Sequence, residues 1–255
     1  MHLGLEKKIV LVTGGTKGIG GTITRAFLEE GATVHYCSRT KADIEASEKQ
    51  LAIDFPDARA IGATVDVSDQ SQLSEWVKAS AEQSGGLDVV VANVSALAIP
   101  DDVESWRNAF QTDLLGLHTL AQAAIPYLEK SKGNIISIAS VSGISADFTS
   151  PGPYGPVKAA VIHYTASLAR QLAPKGVRAN TISPGNIYVD PGVWSGIEKN
   201  MPDLFKSQMD LNPMGRMGKP EEVANAVVFL ASDRASFVSG SNFKVDGALC
   251  EGVQF

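Results

Sequence analysis

The chain has 255 residues, 44% hydrophobic and 20% charged, which is enough apolar material for a full core and too balanced for a disordered or fibrous protein. A net charge of −6 argues against a nucleic-acid partner, and four scattered histidines with two distant cysteines, Cys37 and Cys250, offer neither metal-ligand nor CxxC spacing. No signal-like leader is present and no apolar run reaches the roughly 18 residues of a membrane span, so a cytoplasmic protein with no membrane partner and no metal is expected.

Short apolar runs alternate with longer amphipathic ones along the chain. The short runs predict strands over 9–12, 33–36, 60–65, 88–92, 134–138, 177–182 and 242–245; the longer ones predict helices near 19–30, 42–53, 69–83, 104–130, 155–173 and 220–231. Asp88-Val-Val-Val-Ala92 is apolar on both faces, as a parallel strand covered on both sides must be. Strands joined by helical crossovers predict a three-layer, doubly wound Rossmann-type α/β sheet of about seven parallel strands, with ligands beyond the strands' carboxyl ends. There is no internal repeat or linker-like stretch, so residues 1–255 are expected to form one domain.

The first strand is followed by Thr13-Gly-Gly-Thr-Lys-Gly-Ile-Gly20, which opens the first helix. Backbone N–H groups and the helix dipole meet a pyrophosphate at such a place, and Gly14, Gly18 and Gly20 permit the close approach. The spacing is G-x-x-x-G-x-G rather than the commoner G-x-G-x-x-G, and a plain turn is the competing reading. At the end of the second strand a carboxylate would grip the ribose 2′-hydroxyl of NAD. This chain carries Cys37-Ser-Arg-Thr40 there. A carboxylate repels a 2′-phosphate, whereas the Arg39 guanidinium binds one in bidentate fashion, with Ser38 beside it and Lys17 adding a second positive charge. Most such cations are simply solvated, but the missing acid favours NADP(H) over NAD(H).

Further along stands Ser150-Pro-Gly-Pro-Tyr-Gly-Pro-Val-Lys-Ala160, which puts Tyr154 and Lys158 one turn apart on a helix face. An unperturbed phenol, with a pKa of about 10, exchanges protons poorly at neutral pH. An ammonium about 4 Å away supplies roughly 4 kcal/mol of preference for the phenolate at an effective dielectric of about 20, so a buried pair of this kind makes a general acid/base. Taken alone, such a pair is more often two neighbours on a helix surface.

These motifs, in this order, closely resemble the classical short-chain dehydrogenases/reductases over essentially the whole chain. The resemblance implies that Gly14, Thr16, Lys17, Gly18, Ile19 and Gly20 form the cofactor loop and that Asp66 and Val67 hold the adenine. It matches Asn93 to the asparagine after the fourth strand, and Pro184, Gly185 and Ile187 to the segment that packs on the nicotinamide. The closing elements Gly215-Arg-Met-Gly-Lys-Pro-Glu-Glu222 and Val245-Asp-Gly247 match as well. By the same resemblance Tyr154 exchanges the proton with the substrate oxygen, Lys158 lowers its pKa and holds the ribose hydroxyls, and Ser140 hydrogen-bonds that oxygen. Three positions depart from the family pattern. Asp113 stands where an asparagine is usual in the proton-relay path, Val94-Ser95 replaces Ala-Gly, and Val189 replaces a threonine that holds the carboxamide.

Residues 187–218 lose clear periodicity under Pro191, Gly192, Gly196, Pro202 and Pro213, as a lid over the site would. Tyr188, Val193, Trp194, Met201, Phe205 and Met209 are expected to give it an apolar underside facing Phe148, Leu97 and Ile99, with Phe148, Tyr188 and Trp194 touching substrate. Plain core is the competing reading. The expected function is an NADP(H)-dependent ketone reductase or secondary alcohol dehydrogenase for a hydrophobic small molecule. The alternatives are a 3-oxoacyl thioester reductase, with Lys130, Lys132, Arg170 and Lys175 available to an acidic carrier protein, and a dinucleotide sensor without turnover. The resemblance also implies a homotetramer.

Overall fold

Val, Ile and Leu fill the central short runs so completely that the strands they form have no wet face, whereas the two edge strands are partly exposed. In a computed structural model of the chain, which describes residues 2–252, these runs are β1 (Ile9–Thr13), β2 (Thr33–Ser38), β3 (Ala60–Thr64), β4 (Val89–Ala92), β5 (Asn134–Ile138), β6 (Arg178–Pro184) and β7 (Asn242–Val245). All seven pair in parallel in the order β3-β2-β1-β4-β5-β6-β7, so the winding reverses between β1 and β4. Register is fixed by pairs such as Val12 with Tyr36 on one side and Val91 on the other.

The helices are α1 (Gly18–Glu29), α2 (Lys41–Asp54), α3 (Gln70–Ser84), α4 (Val103–Ala109), α5 (Gly116–Ser131), α6 (Tyr154–Leu172), α7 (Val193–Asn200), α8 (Pro202–Asp210) and α9 (Pro220–Ala231). Alternation along β1 divides them between two faces. Val10 and Val12 join Ile23 and Phe27 of α1 and Val223 and Val227 of α9, whereas Leu11 points the other way, to Leu73 of α3, Leu120 of α5 and Leu168 of α6. Both clusters are buried, and burying one such aliphatic side chain is worth about 1.5–3 kcal/mol. The doubly wound α/β architecture expected from the sequence is therefore present.

The predicted continuous helix over 104–130 is not. Residues Phe110–Leu115 form a π-helical stretch between α4 and α5. A π insertion opens the i→i−4 ladder, here at the turn that carries Asp113 inward. Residues 187–218 are also more regular than expected, since they hold α7 and α8. Pro202 takes the first helical position of α8, where its missing N–H costs nothing.

Candidate active site

The loops after β1 to β6 gather at the carboxyl edge of the sheet, and β1 and β4 place the switch point there. Gly14, Gly18 and Gly20 line the turn into α1; Gly14 and Gly18 have φ of +66° and +57°, in the left-handed region. A Cβ at Gly20 would lie 2.1 Å from the Gly14 carbonyl oxygen and 2.4 Å from Asn93 Nδ2, so only glycine lets the helix start so close to the strand end. Asn93 binds this loop itself. Its amide donates to the Thr13 and Gly14 carbonyls at 3.0 and 3.4 Å, and its N–H donates to Thr13 Oγ1 at 3.0 Å. Thr16 and Ile19 are part-buried in the same turn.

At the end of β2, Ser38 is half-buried and Arg39 is exposed. Lys17 departs from expectation: its Nζ lies 2.9 Å from Asp43 Oδ2 in the first turn of α2, an acid that sequence reasoning missed. Beyond β3, Asp66 Oδ1 accepts from the N–H and hydroxyl of Ser68, and Val67 is buried. After β6, Gly185 donates to the Val245 carbonyl, and Ile187 pairs with Gly218. Val189 reaches back over the glycine turn, its Cγ1 being 3.7 Å from where a Cβ of Gly18 would be.

Lys158 is buried within α6. Its ammonium donates to the Ile138 carbonyl at 3.1 Å, forms an ion pair with Asp113 Oδ1 at 3.0 Å, and lies 5.8 Å from the centre of the Tyr154 ring. Two oxygen partners offset the desolvation of a charge in the interior. A cavity of about 10 Å³, room for about one water, adjoins the pair and is lined by Thr13, Thr112, Asp113, Ser137 and Lys158 among others. Tyr154 opens α6 half-buried, and among the described residues its hydroxyl takes no hydrogen bond. Ser140 follows β5 at the cap of a short turn, Val141–Gly143. A Cβ at Gly143 would come within 2.7 Å of the Lys158 carbonyl carbon, so this turn lies directly on α6 beside the Tyr154/Lys158 turn. Ser140 Oγ accepts from the Ser142 N–H at 3.2 Å, and Ser142 donates in turn to Asp147. Sequence reasoning had no signal for Ser142, Asp147 or the Ile138 carbonyl.

Toward the lid segment, Phe148 packs on Trp194 with ring centres 5.7 Å apart, and Phe205 joins Trp194 and Tyr188. The Tyr188 hydroxyl donates to Glu198 at 2.6 Å, which pushes its phenol up to about 12. Val193 and Met201 do not join this cluster and are 45% and 50% exposed; Leu97 and Ile99 are exposed too. The expected underside is therefore built from Tyr188, Trp194, Phe205 and Met209 with Ile197 and Met217. Lys130, Lys132, Arg170 and Lys175 lie where α5 and α6 end, just before β5 and β6. That is the opposite edge of the sheet from Tyr154, and Lys175 is paired with Glu129.

A dinucleotide turn, a buried lysine beside a tyrosine and a serine after β5 define an α/β oxidoreductase scaffold. A family model described as "Enoyl-(Acyl carrier protein) reductase" matches residues 14–249. The chain is 41% identical to isoepoxydon dehydrogenase patN of Penicillium expansum, over 99% of this chain and 98% of that protein. It is 36% identical to L-fucose dehydrogenase of Bos taurus, over 94% and 88%. Among solved structures, L-sorbose reductase from Gluconobacter frateurii, complexed with NADPH and L-sorbose, superposes with a TM-score of 0.89 at 26% identity, over 99% of this chain and 100% of that one. The chain belongs to the short-chain dehydrogenase/reductase family, whose members here are oxidoreductases acting on alcohols and carbonyls with a nicotinamide cofactor. No helix among the described residues is long and apolar enough to cross a membrane.

Proposed function

We propose that this protein is an NADP(H)-dependent secondary alcohol dehydrogenase and ketone reductase, with Tyr154 as its general acid/base. The observation that carries this reading is the buried Lys158 ammonium, held between Asp113 and the Ile138 carbonyl one turn from Tyr154, at the sheet edge that also carries the glycine turn. The glycine cradle fits a dinucleotide, because Gly14 and Gly18 take the left-handed turn and Gly20 lets α1 begin hard against the end of β1, where the first N–H groups of a helix meet a pyrophosphate. Gly14, Thr16, Gly18, Ile19 and Gly20 would hold the pyrophosphate, Asp66 and Val67 the adenine, Ser38 and Arg39 the 2′-phosphate, and Pro184, Gly185 and Ile187 the nicotinamide. When bound, the nicotinamide supplies or takes up the hydride.

The chain's own residues manage the proton. Tyr154 donates it to the carbonyl oxygen in reduction and removes it from the hydroxyl in oxidation, with the Lys158 ammonium beside its ring on the same helix. Ser140, steadied by the Ser142 N–H, hydrogen-bonds the same oxygen where charge develops. Residues 187–218 serve as the lid. Its aromatic wall of Phe148, Trp194 and Tyr188 suits a substrate with an apolar body. A carrier-protein thioester loses support, since the four cations that would receive the carrier lie at the far edge. The exposed stripe Val103, Trp106 and Phe110 along α4 and the π stretch supports assembly as a homotetramer.

The test is a panel of secondary alcohols and ketones, including cyclic alcohols, butanediol, L-fucose and L-sorbose, each run with NADP(H) and NAD(H). Turnover that prefers NADP(H) is expected. NADPH binding without consumption across the panel would leave a dinucleotide sensor instead.

A further inference from the structure

The two departures from the family pattern nearest the catalytic lysine meet in space. Ser95 donates its hydroxyl proton to Asp113 Oδ1 at 2.6 Å, the Ala96 N–H donates to Oδ2 at 2.8 Å, and Lys158 Nζ reaches Oδ1 at 3.0 Å. The carboxylate thus takes three donors from two different parts of the chain while its side chain is only 2% exposed. An amide could not do this. With its oxygen toward Lys158, its NH₂ would face the Ala96 N–H; turned over, it would face the ammonium.

Ser95 also carries the contact onward. Its Oγ accepts from the Leu97 N–H at 3.2 Å, and Leu97 sits at φ +49°, a left-handed conformation that a leucine holds only when its surroundings impose it. The loop then passes over Gly152, where an added Cβ would lie 1.7 Å from the Ile99 carbonyl oxygen, two residues before Tyr154. Hydrogen bonds therefore run from the lysine's counter-ion through Ser95 to Leu97, and the loop that follows packs at Ile99 against Gly152, just ahead of the helix that carries the tyrosine.

We propose that Ser95 and Asp113 act as one positioning unit that ties the substrate-facing loop 95–99 to Lys158. Ser95 fixes the placement of the exposed Leu97 against the substrate, and Asp113 fixes the ammonium. The proposal rests on the oxidoreductase reading, yet it fails separately from it: Tyr154→Phe tests that reading, and Ser95 variants test this one. Ser95→Ala removes the hydroxyl but leaves the Asp113–Lys158 pair. Measured with the best alcohol of the panel, it is expected to raise KM about 5- to 20-fold while kcat stays within threefold and the dissociation constant of NADPH within twofold. Ser95→Thr, which keeps the hydroxyl, should return KM to within threefold of the parent. Asp113→Asn should lower kcat at least tenfold, and adding Ser95→Ala to it should change KM less than twofold, because the acceptor is already compromised. If Ser95→Ala leaves KM within twofold, if the threonine variant matches the alanine one, or if the two substitutions act multiplicatively, the proposal is wrong. Should Asp113→Asn fail to fold, the alanine and threonine variants of Ser95 decide the matter by KM alone.

Discussion

The assignment of NADP(H) turns on Arg39, and reversing its charge gives a calculable result. Arg39 is exposed at the end of β2 and forms no ion pair among the described residues, whereas Lys17 is already engaged by Asp43 at 2.9 Å. A 2′-phosphate carries close to two negative charges at neutral pH. At about 4 Å in high dielectric each unit pair is worth about 1 kcal/mol, so the guanidinium contributes about 2 kcal/mol and Arg39→Asp reverses that, a swing of about 4 kcal/mol. Screening over a Debye length of about 8 Å at physiological salt leaves roughly 2 kcal/mol, or about 30-fold in affinity. Titrating NADPH and NADH by fluorescence against parent and variant measures it. The ratio of the two dissociation constants should move about 30-fold toward NADH in Arg39→Asp. The parent's NADPH advantage should itself shrink between 0.05 and 0.5 M salt, as the Debye length falls from about 14 to about 4 Å. A variant that keeps the parent's NADPH preference, or a preference blind to salt, would refute the placement of the phosphate at Arg39.

Asp43→Asn frees Lys17 and removes a nearby negative charge, so NADPH affinity should rise a few-fold while NADH affinity holds; equal changes for both would separate Asp43 from the phosphate subsite. Gly20→Ala drives a methyl into the Gly14 carbonyl and Asn93, and should weaken cofactor binding more than tenfold and cost about 1–3 kcal/mol of stability by overpacking, read as a fall in Tm. Burial of His35, with Arg59 adding to it, holds its imidazole down to about 4 from its ordinary 6.5. The unfolded chain then binds the extra proton, so this contribution is complete above about pH 6.5 and is lost as pH falls toward 4. It is worth at most about 3 kcal/mol at about 1.4 kcal/mol per unit. Urea midpoints should accordingly drop between pH 7 and 4 in the parent and drop less in His35→Gln; parallel curves would contradict this.

The parts of the fold that were legible in the sequence are those set by local chemistry. Continuous Val/Ile runs give β1, β4 and β5, and the glycines at 14, 18 and 20 mark a turn that the backbone requires. The Tyr154/Lys158 spacing was equally readable, because four residues along a helix put both on one side. What escaped depends on contacts between distant segments. Lys17 reads as a free cation until α2 brings Asp43 beside it. The π stretch carries no helix breaker that would announce it; it holds the buried carboxylate of Asp113, whose partners Ser95 and Lys158 lie 18 and 45 residues away. Helices α7 and α8 were hidden by Pro202 and Gly196, which interrupt a pattern without preventing a short helix. The four candidate entrance cations illustrate the same limit, since only topology shows that they face the wrong edge.

The central claim is that the Tyr154 phenol moves the proton, and Tyr154→Phe tests it most directly. The substitution removes one oxygen and leaves the ring, Lys158 and the glycine cradle in place. With the best alcohol of the panel under saturating NADP, kcat should fall at least a thousandfold, about 4 kcal/mol of barrier, while NADPH still binds within about threefold of the parent. A variant that retains a tenth or more of the parent's turnover would contradict the account.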